Sequence, residues 1–335
     1  MTLPSAIAGV QPRIRGDGMG FYFPGEPVAI KSLPLTPEEI KRLPRLGQEI
    51  TYRSLEEDST ELMVRAARQA IERSGISGSN IRLVISAPSL ISSYGLEIPS
   101  VAVRAALGLK NAECINLEQG CVGVLRAIDL AAQMLAAKPD EGDILVVTSC
   151  RASRYTTNMT HGSFFWGDGA AAVIVTPSPC NGIAIVDYKE ICNEVDWGAM
   201  RIPFGDASRS GVPDLIQVGF ANAESQIDYV RGEQFNFASI VDRLLGANGL
   251  APSDIEAVFL PSTGKNRAPI LFNDHPELFS RLNTEFKFAH FGGVDPIFSL
   301  HQYLERLAPP SGAWLLAASP AFTAQWGGLL MRVVR

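Results

Sequence analysis

The sequence predicts an α/β protein built from two related halves with at least partly parallel sheets, and three observations support this fold class. Helical and strand-like segments alternate along most of the chain, as they do in α/β folds. Several strand-like segments, such as DILVVTS at 143–149, are continuous apolar runs of the kind found in fully buried strands. The order of helix, strand, loop, helix and strand pair in the second part of the chain loosely echoes the first part.

The first half spans residues 1–177. Its amphipathic segment ELMVRAARQAIERS predicts a helix over 61–74 that ends at Gly75. The apolar, alanine-rich segment VGVLRAIDLAAQMLAA predicts another helix over 122–137. The other predicted elements of this half are strands over 82–87, 113–117, 143–149 and 170–176, and a helix over 100–107.

The second half spans residues 178–335 and begins where proline, serine and glycine cluster near 177–182. A helix over 234–248 ends at Gly249, and a strand over 256–261 ends in the polar loop STGKN. The remaining predicted elements are a helix over 295–307 and terminal strands over 312–318 and 329–334. The echo between the parts favours two halves that face each other over a solenoid.

The composition is that of a globular enzyme with a large core. The chain has 335 residues, of which 46% are hydrophobic and 19% charged, and its net charge of −6 argues against a general nucleic-acid or membrane-binding surface. The first ten residues lack a signal-peptide pattern, and no run approaches the roughly 18 apolar residues of a spanning helix. We therefore expect a cytoplasmic protein without a membrane or nucleic-acid partner.

Cysteine and histidine usage argues against a disulfide framework and against a metal site. There are five cysteines, an odd number, and none forms a CxxC pair, which is typical of a protein from a reducing compartment. The four histidines show no metal-ligand spacing with these cysteines. No glycine-rich loop has the spacing of a nucleotide-binding motif. We expect neither a bound metal nor a separate cofactor.

Cys121 lies in the stretch INLEQGCVGVL, where a strand-like segment turns into a helix. The unpaired backbone N–H groups and the positive dipole at a helix N-terminus stabilise a thiolate. Gly120 and Gly123 permit a tight turn and the close approach of an acyl carbonyl. Cys121 is therefore a candidate nucleophile, although a cysteine in such a turn can also be a plain buried residue.

A partner for this thiol is found in the segment AHFGGVDPI. His290 and Asp295 stand five residues apart across two glycines, so the loop can fold back and bring the carboxylate to the imidazole. The alternative is that Asp295 only caps the helix that begins at Pro296. Both roles are compatible. The weaker candidates are His161, His275 and His301.

Four segments of the sequence resemble the ketoacyl-(acyl carrier protein) synthase III group of the thiolase-like fold. They are EQGCVG at the start of a helix, WGDGAAAVIV in place of F-G-D-G-A-G-A, FLPSTGKNRAPI where the family has P-H-Q-A-N, and SPAFTAQWGGLLMRV in place of G-G-G-F-T-W-G. The resemblance covers almost the full length. It implies a layered αβαβα arrangement of two α/β halves, with the cysteine between them, in a homodimer.

The departures from the family pattern indicate a divergent branch. Ser262 occupies the place of the usual histidine, and 289–292 (AHFG) replaces the asparagine segment. The segment AHFGGVD over 289–295 looks like the divergent branch with G-H-x-G-x-x-D, whose members resemble acyltransferases that use a Cys-His-Asp triad. Carried over by position, the triad is Cys121, His290 and Asp295, the same residues that the spacing selects.

The resemblance implies acyl transfer from a thioester of coenzyme A or an acyl carrier protein, which is a substrate and not a cofactor. Cys121 forms an acyl-enzyme, and His290 deprotonates a hydroxyl, amine or carrier-protein acceptor in a specialised biosynthetic pathway. Residues predicted to bind the substrate or its acidic carrier are Ser262, Lys265, Arg267 and Phe322, with Arg151 and Arg154 as further basic options. The segment Ser319-Pro320-Ala321 replaces the glycines that give the second oxyanion donor, and proline has no N–H.

Two alternatives stay open from the sequence. The chain could be a decarboxylative β-ketoacyl synthase that forms carbon–carbon bonds despite the loss of the usual histidine and asparagine. It could also be a weakly active or inactive subunit that supports an active partner in a heterodimer. The retained Cys121, His290 and Asp295 argue against the second alternative.

Overall fold

The structure is a computed structural model of the 335-residue chain. It describes residues 11–90, 96–154, 160–161, 164–192, 200–201, 219–220, 223–321 and 325–335.

Helices and strands alternate along the chain, as predicted. The helices are α1 (Pro37–Leu46), α2 (Ser59–Ser74), α3 (Pro99–Ala106), α4 (Gly123–Ala137), α5 (Ala223–Asn248), α6 (Ala268–Leu271), α7 (Pro276–Phe279) and α8 (Val294–Leu307). The strands are β1 (Arg13–Tyr22), β2 (Val28–Ala29), β3 (Ile50–Thr51), β4 (Ile81–Ser86), β5 (Glu113–Asn116), β6 (Asp143–Arg151), β7 (Thr160–His161), β8 (Phe164–Phe165), β9 (Asp168–Thr176), β10 (Gly182–Cys192), β11 (Met200–Arg201), β12 (Gly219–Phe220), β13 (Ile255–Phe259), β14 (Trp314–Ala321) and β15 (Gln325–Val334). Every element predicted from the sequence is present. Most ends are shifted by a few residues, and α5 and β15 begin further toward the N-terminus than predicted, at Ala223 and Gln325.

Local capping explains where the predicted helices begin and end. In α2 the Asp58 carboxylate accepts hydrogen bonds from the N–H groups of Thr60 and Glu61, and the Glu61 carboxylate accepts one from the Asp58 N–H. This capping box fixes the first turn. Gly75 ends the helix in the left-handed region at φ +63°, a conformation that glycine adopts without strain.

One nine-stranded sheet joins both parts of the chain in the order β13-β14-β15-β10-β1-β9-β6-β4-β5. On one side of the β1–β10 pair, β4 and β6 are parallel, and the pairs β6–β9 and β9–β1 are antiparallel. On the other side, β13 and β14 are parallel, and β14–β15 and β15–β10 are antiparallel. The pairing orientations thus repeat on either side of the centre. The domain boundary near residue 177 stays a prediction.

The strands β1 and β10 at the centre of the sheet were not predicted from the sequence, nor was α1. The β1 sequence RIRGDGMGFY and the β10 sequence GIAIVDYKEIC mix glycine and charged residues with apolar ones. Neither gives the continuous apolar run that identified the other strands. They belong to the sheet because partners on both sides satisfy their backbone groups, which is a long-range effect.

The helix α4 is the central packing element. It contacts β6, β10, β15 and β9, and its residues share one hydrophobic cluster with those of α8. The stretch Gly120–Ala137 is also the one described helical stretch long and apolar enough to cross a membrane. This corrects the expectation that no such stretch exists. Because 61% of it is buried inside the molecule, its apolar character is that of a core helix.

Candidate active site

Cys121 lies at the turn that leads into α4, as predicted. A 3₁₀ turn over Gly120–Val122 precedes the helix, and Gly120 has a φ of +57° that favours glycine at this position. The Cys121 side chain is 3% exposed. The helix N-terminus therefore points its unpaired N–H groups toward the region where this thiol lies.

The predicted partners of Cys121 are brought together. The Cys121 Sγ lies 3.5 Å from Nε2 of His290, and Nδ1 of His290 lies 2.5 Å from Oδ2 of Asp295. The His290 and Asp295 residues are 1% and 3% exposed. A continuous line of contacts thus runs from thiol to imidazole to carboxylate in a water-poor interior.

The loop between His290 and Asp295 turns on its two glycines. Gly292 has a φ of +62°, and a Cβ atom there would lie 2.2 Å from the Ser89 Oγ. The Gly293 N–H donates to the same Ser89 oxygen at 2.7 Å. A larger residue at position 292 would clash with Ser89, so glycine is required for this close approach.

The Asp295 carboxylate is held by several donors. Its Oδ1 accepts from the Phe291 N–H at 2.8 Å, and its Oδ2 accepts from the Ser262 N–H at 2.7 Å as well as from His290. The alternative role of Asp295 as the helix N-cap is wrong, because Gly293 occupies that position. The carboxylate faces the imidazole, and its charge is stabilised by these bonds.

The His290 ring is fixed on its other sides by aromatic residues and by main-chain bonds. The Trp166 ring lies 4.7 Å from the imidazole centroid, and the Phe164 ring lies edge-on at 5.1 Å. The His290 N–H donates to the Phe165 carbonyl at 2.8 Å, and its own carbonyl accepts from the Gly167 N–H at 2.9 Å. These contacts leave the imidazole little freedom to turn.

The protonation of His290 is set by two opposing influences. Burial alone would lower the pKa of His290, because it disfavours the charged ring. The negative charges of Asp295 and of the Cys121 thiolate, together with their hydrogen bonds, outweigh this and raise the pKa of His290 to about 10. At neutral pH the imidazole therefore carries its second proton while the thiolate is present.

The other predicted binding residues lie in different surroundings. Ser262 is 2% exposed, and its Oγ donates to the Phe288 carbonyl at 2.6 Å, so its side chain does not line an open surface. Lys265 is exposed, with its side-chain stem beside Gly47. Arg267 forms a largely buried ion pair with Glu233. Phe322 lies outside the described residues.

The segment that replaces the family's glycines lies beside the nucleophile turn. It forms the end of β14, and the Ala321 Cβ is 3.4 Å from where a Cβ of Gly120 would stand. Pro320 has no N–H to donate there. Of the further basic options, Arg154 is exposed and Arg151 is half-buried. Among the described residues, no group of three His, Cys, Asp or Glu side chains could hold a metal ion.

Sequence reasoning missed two polar residues that hold the site together. Ser89 accepts from Gly293, and Gln48 is a buried amide that contacts both the Phe165 and the Ser262 main chain. Ser89 follows a predicted strand and Gln48 lies in the stretch LGQEITY, and neither belongs to a motif. Their partners are more than 100 residues away along the chain, so no local pattern could have found them.

Known proteins match this chain in sequence. A family model described as 3-oxoacyl-[acyl-carrier-protein] synthase III matches residues 115–193, which include Cys121. A mycobacterial beta-ketoacyl-[acyl-carrier-protein] synthase III from Mycobacterium marinum is 29% identical over 234 residues. These matches support a ketoacyl synthase III-like family for the chain. The match covers 67% of this chain and 65% of the mycobacterial relative, so it spans just under two thirds of that relative's length.

Two solved structures share the fold of this chain. ChlB3, described as an acyltransferase, has a TM-score of 0.81 at 19% identity, over 97% of this chain and 98% of its own. The priming beta-ketosynthase of the R1128 polyketide biosynthetic pathway has a TM-score of 0.80 at 20% identity, over 98% and 99%. The predicted thiolase-like fold is confirmed. Identities this low show the fold and not the activity.

Proposed function

We propose that this chain is an acyltransferase that works through an acyl-cysteine on Cys121. The acyl group comes from a thioester of coenzyme A or an acyl carrier protein and passes to a hydroxyl, amine or carrier-protein acceptor. The observation that supports this proposal is the line of contacts from the Cys121 Sγ to His290 and on to Asp295. A nucleophile, a base and a group that orients the base are the parts that covalent acyl transfer needs.

In the first step the Cys121 thiolate attacks the thioester carbonyl carbon. The C–S bond to Cys121 forms, and the oxyanion accepts from the Cys121 N–H at the helix N-terminus. Collapse of this intermediate breaks the bond to the carrier sulfur. The leaving thiolate takes the proton that His290 holds, since the pKa of His290 is raised to about 10 in the free enzyme. The acyl-enzyme is left with a neutral imidazole.

In the second step His290 acts as a general base. Acylation removes the thiolate charge of Cys121, which is one of the causes that raise the pKa of His290, so this pKa falls in the acyl-enzyme. The neutral Nε2 accepts a proton from the acceptor hydroxyl or amine as its oxygen or nitrogen attacks the acyl carbon. Asp295 holds the other ring nitrogen and stabilises the charge that develops. Collapse to product regenerates the Cys121 thiolate.

Acyl transfer is favoured over decarboxylative condensation by the surroundings of Ser262. This residue stands where the family's second catalytic histidine is expected, and its hydroxyl donates to the Phe288 carbonyl. Because the Ser262 hydroxyl proton is already used in this main-chain hydrogen bond, the side chain cannot polarise the carbonyl of a malonyl thioester as an imidazole does. The fold does not separate the two reactions, because proteins named as an acyltransferase and as a ketosynthase both share it. An inactive supporting subunit is disfavoured by the assembled Cys121, His290 and Asp295.

Intact-protein mass spectrometry with a panel of acyl thioesters tests this function. A mass increase equal to the acyl group, followed by its loss when a hydroxyl, amine or carrier acceptor is added, is the expected result. Release of carbon dioxide from a malonyl thioester together with a carbon–carbon linked product would support condensation instead. If no thioester of either coenzyme A or a carrier protein acylates the chain, the supporting-subunit alternative replaces the proposal.

An acidic carrier protein fits a basic residue near the site. The exposed Lys265 lies in the loop that follows Ser262 and is joined to the end of α1 by the bond from its N–H to the Leu46 carbonyl. The matched relative is named a beta-ketoacyl-[acyl-carrier-protein] synthase III. The homodimer and the cytoplasmic location stay predictions, and light scattering tests the first, since a single chain has a mass of 36.1 kDa.

A further inference from the structure

A short segment after α1 crosses the main-chain supports of the site. We call residues 46–54 the strap. The Leu46 carbonyl accepts from Lys265, the Ile50 carbonyl accepts from Ala289, and the Thr51 Oγ1 donates to the Trp166 carbonyl, at 2.9, 2.8 and 2.8 Å. The strap therefore bonds to three separate chain segments: the loop after β13, the residue before His290 and the link between β8 and β9.

Gln48 is the strap residue whose side chain joins two of these segments at once. It is 2% exposed. Its Oε1 accepts from the Phe165 N–H at 2.9 Å, and its Nε2 donates to the Ser262 carbonyl at 2.6 Å and to the Phe165 carbonyl at 3.3 Å. Both ends of the amide are thus used, as a buried polar side chain requires.

The two residues that Gln48 holds are those that hold the imidazole and the carboxylate. The Phe165 carbonyl also accepts from the His290 N–H, and the Ser262 N–H donates to the Asp295 Oδ2. One amide therefore fixes the spacing between the support of His290 and the support of Asp295. These supports are 97 residues apart along the chain, from 165 in β8 to 262 in the loop after β13.

We infer that Gln48 is a positioning residue that holds His290 and Asp295 in register with each other and with Cys121. The inference rests on the proposed function of these three residues. Catalytic groups must be held within about 0.5 Å of their working geometry by surrounding bonds, and general-base steps are sensitive to such errors. Loss of the amide frees the Ser262 loop and Phe165 to move apart, which lengthens the contacts on either side of the imidazole.

The pH dependence of Cys121 alkylation is sensitive to the distance between His290 and Asp295, because few charged groups face the His290 ring. The groups described around the ring are the Cys121 sulfur, the Asp295 carboxylate and the rings of Trp166 and Phe164. A displaced Asp295 raises the pKa of His290 less, so the imidazolium that stabilises the Cys121 thiolate is lost at a lower pH. A loss of general stability does not by itself produce that change.

The test measures alkylation of Cys121 by iodoacetamide against pH, with peptide mass spectrometry to separate it from the other cysteines. Gln48→Met keeps the length of the side chain and removes its hydrogen bonds. Gln48→Asn keeps the amide but is one methylene too short to reach both partners. The control is Asn248→Leu, which removes an amide that donates to the Leu244 carbonyl and the Asp187 carboxylate, neither of which contacts the site.

The pKa of His290 is about 10 in the wild type, and Gln48→Met is expected to lose the imidazolium about one pH unit lower. The variant should therefore alkylate at Cys121 about fivefold more slowly than the wild type near pH 10 and at the wild-type rate at pH 7. The control keeps the wild-type pH profile even if its melting temperature falls. A wild-type profile in folded Gln48→Met overturns the inference. If that variant does not fold, a wild-type profile in Gln48→Asn overturns it instead.

Alkylation needs no thioester, so the result is independent of whether the chain is an acyltransferase. A shifted profile in the Gln48 variants without any acylation of the wild type would retain the positioning role and reject the proposed function. Where acylation occurs, acyl transfer by the Gln48 variants is expected to show a lower kcat with little change in KM, because the substrate contacts are not altered.

Discussion

Cys121 and Cys150 are two buried thiols beside the same glycine loop, and within the described part of the chain only Cys121 has a basic partner. A Cβ on Gly293 would lie 3.0 Å from the Cys121 carbonyl oxygen, and a Cβ on Gly292 would lie 3.4 Å from the Cys150 Cβ. Their exposures are 3% and 0%. Burial and proximity to the loop therefore do not distinguish these cysteines.

Their chemical surroundings do distinguish them. Cys121 has the His290 imidazole at 3.5 Å. Cys150 packs in a cluster with Ala152, Phe164 and Trp166, and burial raises the pKa of its thiol well above the usual range, with the negative charges of Cys121, Asp168 and Asp295 adding to the shift. A buried thiol becomes a nucleophile only where a neighbouring group stabilises its charge.

The largest expected effect is the separation of these two thiols by substitution. Cys121→Ala abolishes acylation by any thioester that acylates the wild type, because alanine fits the turn and has no nucleophile. The matched variant Cys150→Ala keeps acylation at the wild-type site. Intact mass and peptide mapping measure both. An acyl group that persists in Cys121→Ala would remove Cys121 from the mechanism, and one found on Cys150 would reverse the comparison.

The sequence could predict Cys121 as the candidate because its features are local. A cysteine between glycines at the start of an apolar helix is visible in residues 115–125 alone. The pairing of His290 with Asp295 was also predictable, since both lie in one loop with glycines that allow it to turn. The alternative that Asp295 caps the helix failed because the cap falls at Gly293.

The supports of the site could not be predicted, because they are long-range. Gln48 meets Ser262 across 214 positions of the sequence, and Ser89 meets Gly293 across 204. A buried glutamine in a polar stretch has no periodicity that reveals its partner. The same limit applies to the fold: the strands found from apolar runs were correct, whereas β1 and β10 are held by neighbours on both sides and were missed.

The next effect concerns the imidazole that distinguishes Cys121. His290→Ala is expected to retain some acylation of Cys121 by reactive thioesters but to stall transfer to the acceptor, with a loss of ~10²–10⁴-fold in the transfer rate. Single-turnover measurement of the preformed acyl-enzyme separates the two steps. Transfer at the wild-type rate in His290→Ala would show that another group is the base.

A smaller or comparable effect is expected from Asp295→Asn. The amide removes the negative charge that raises the pKa of His290, so this pKa falls from about 10 toward or below its ordinary value of 6.5. Between these values the wild-type imidazole is protonated and the variant imidazole is neutral. Alkylation of Cys121 at pH 8 should therefore be slower in the variant, and the difference should shrink above pH 10. Equal rates at pH 8 would show that Asp295 does not set the charge of His290.

The smallest effect is expected from Ser262→Ala, although Ser262 touches the same carboxylate. It is the backbone N–H of Ser262 that donates to Asp295, and alanine keeps that group. The substitution removes only the partly buried bond from Oγ to the Phe288 carbonyl, which is worth about 1 kcal/mol of stability. The single-turnover rate of acyl transfer should change by less than about threefold, while the melting temperature falls slightly. A loss of transfer that matches His290→Ala would mean that the Ser262 hydroxyl takes part in the chemistry, and the loop after β13 would then belong to the active site in the way that the condensing alternative requires.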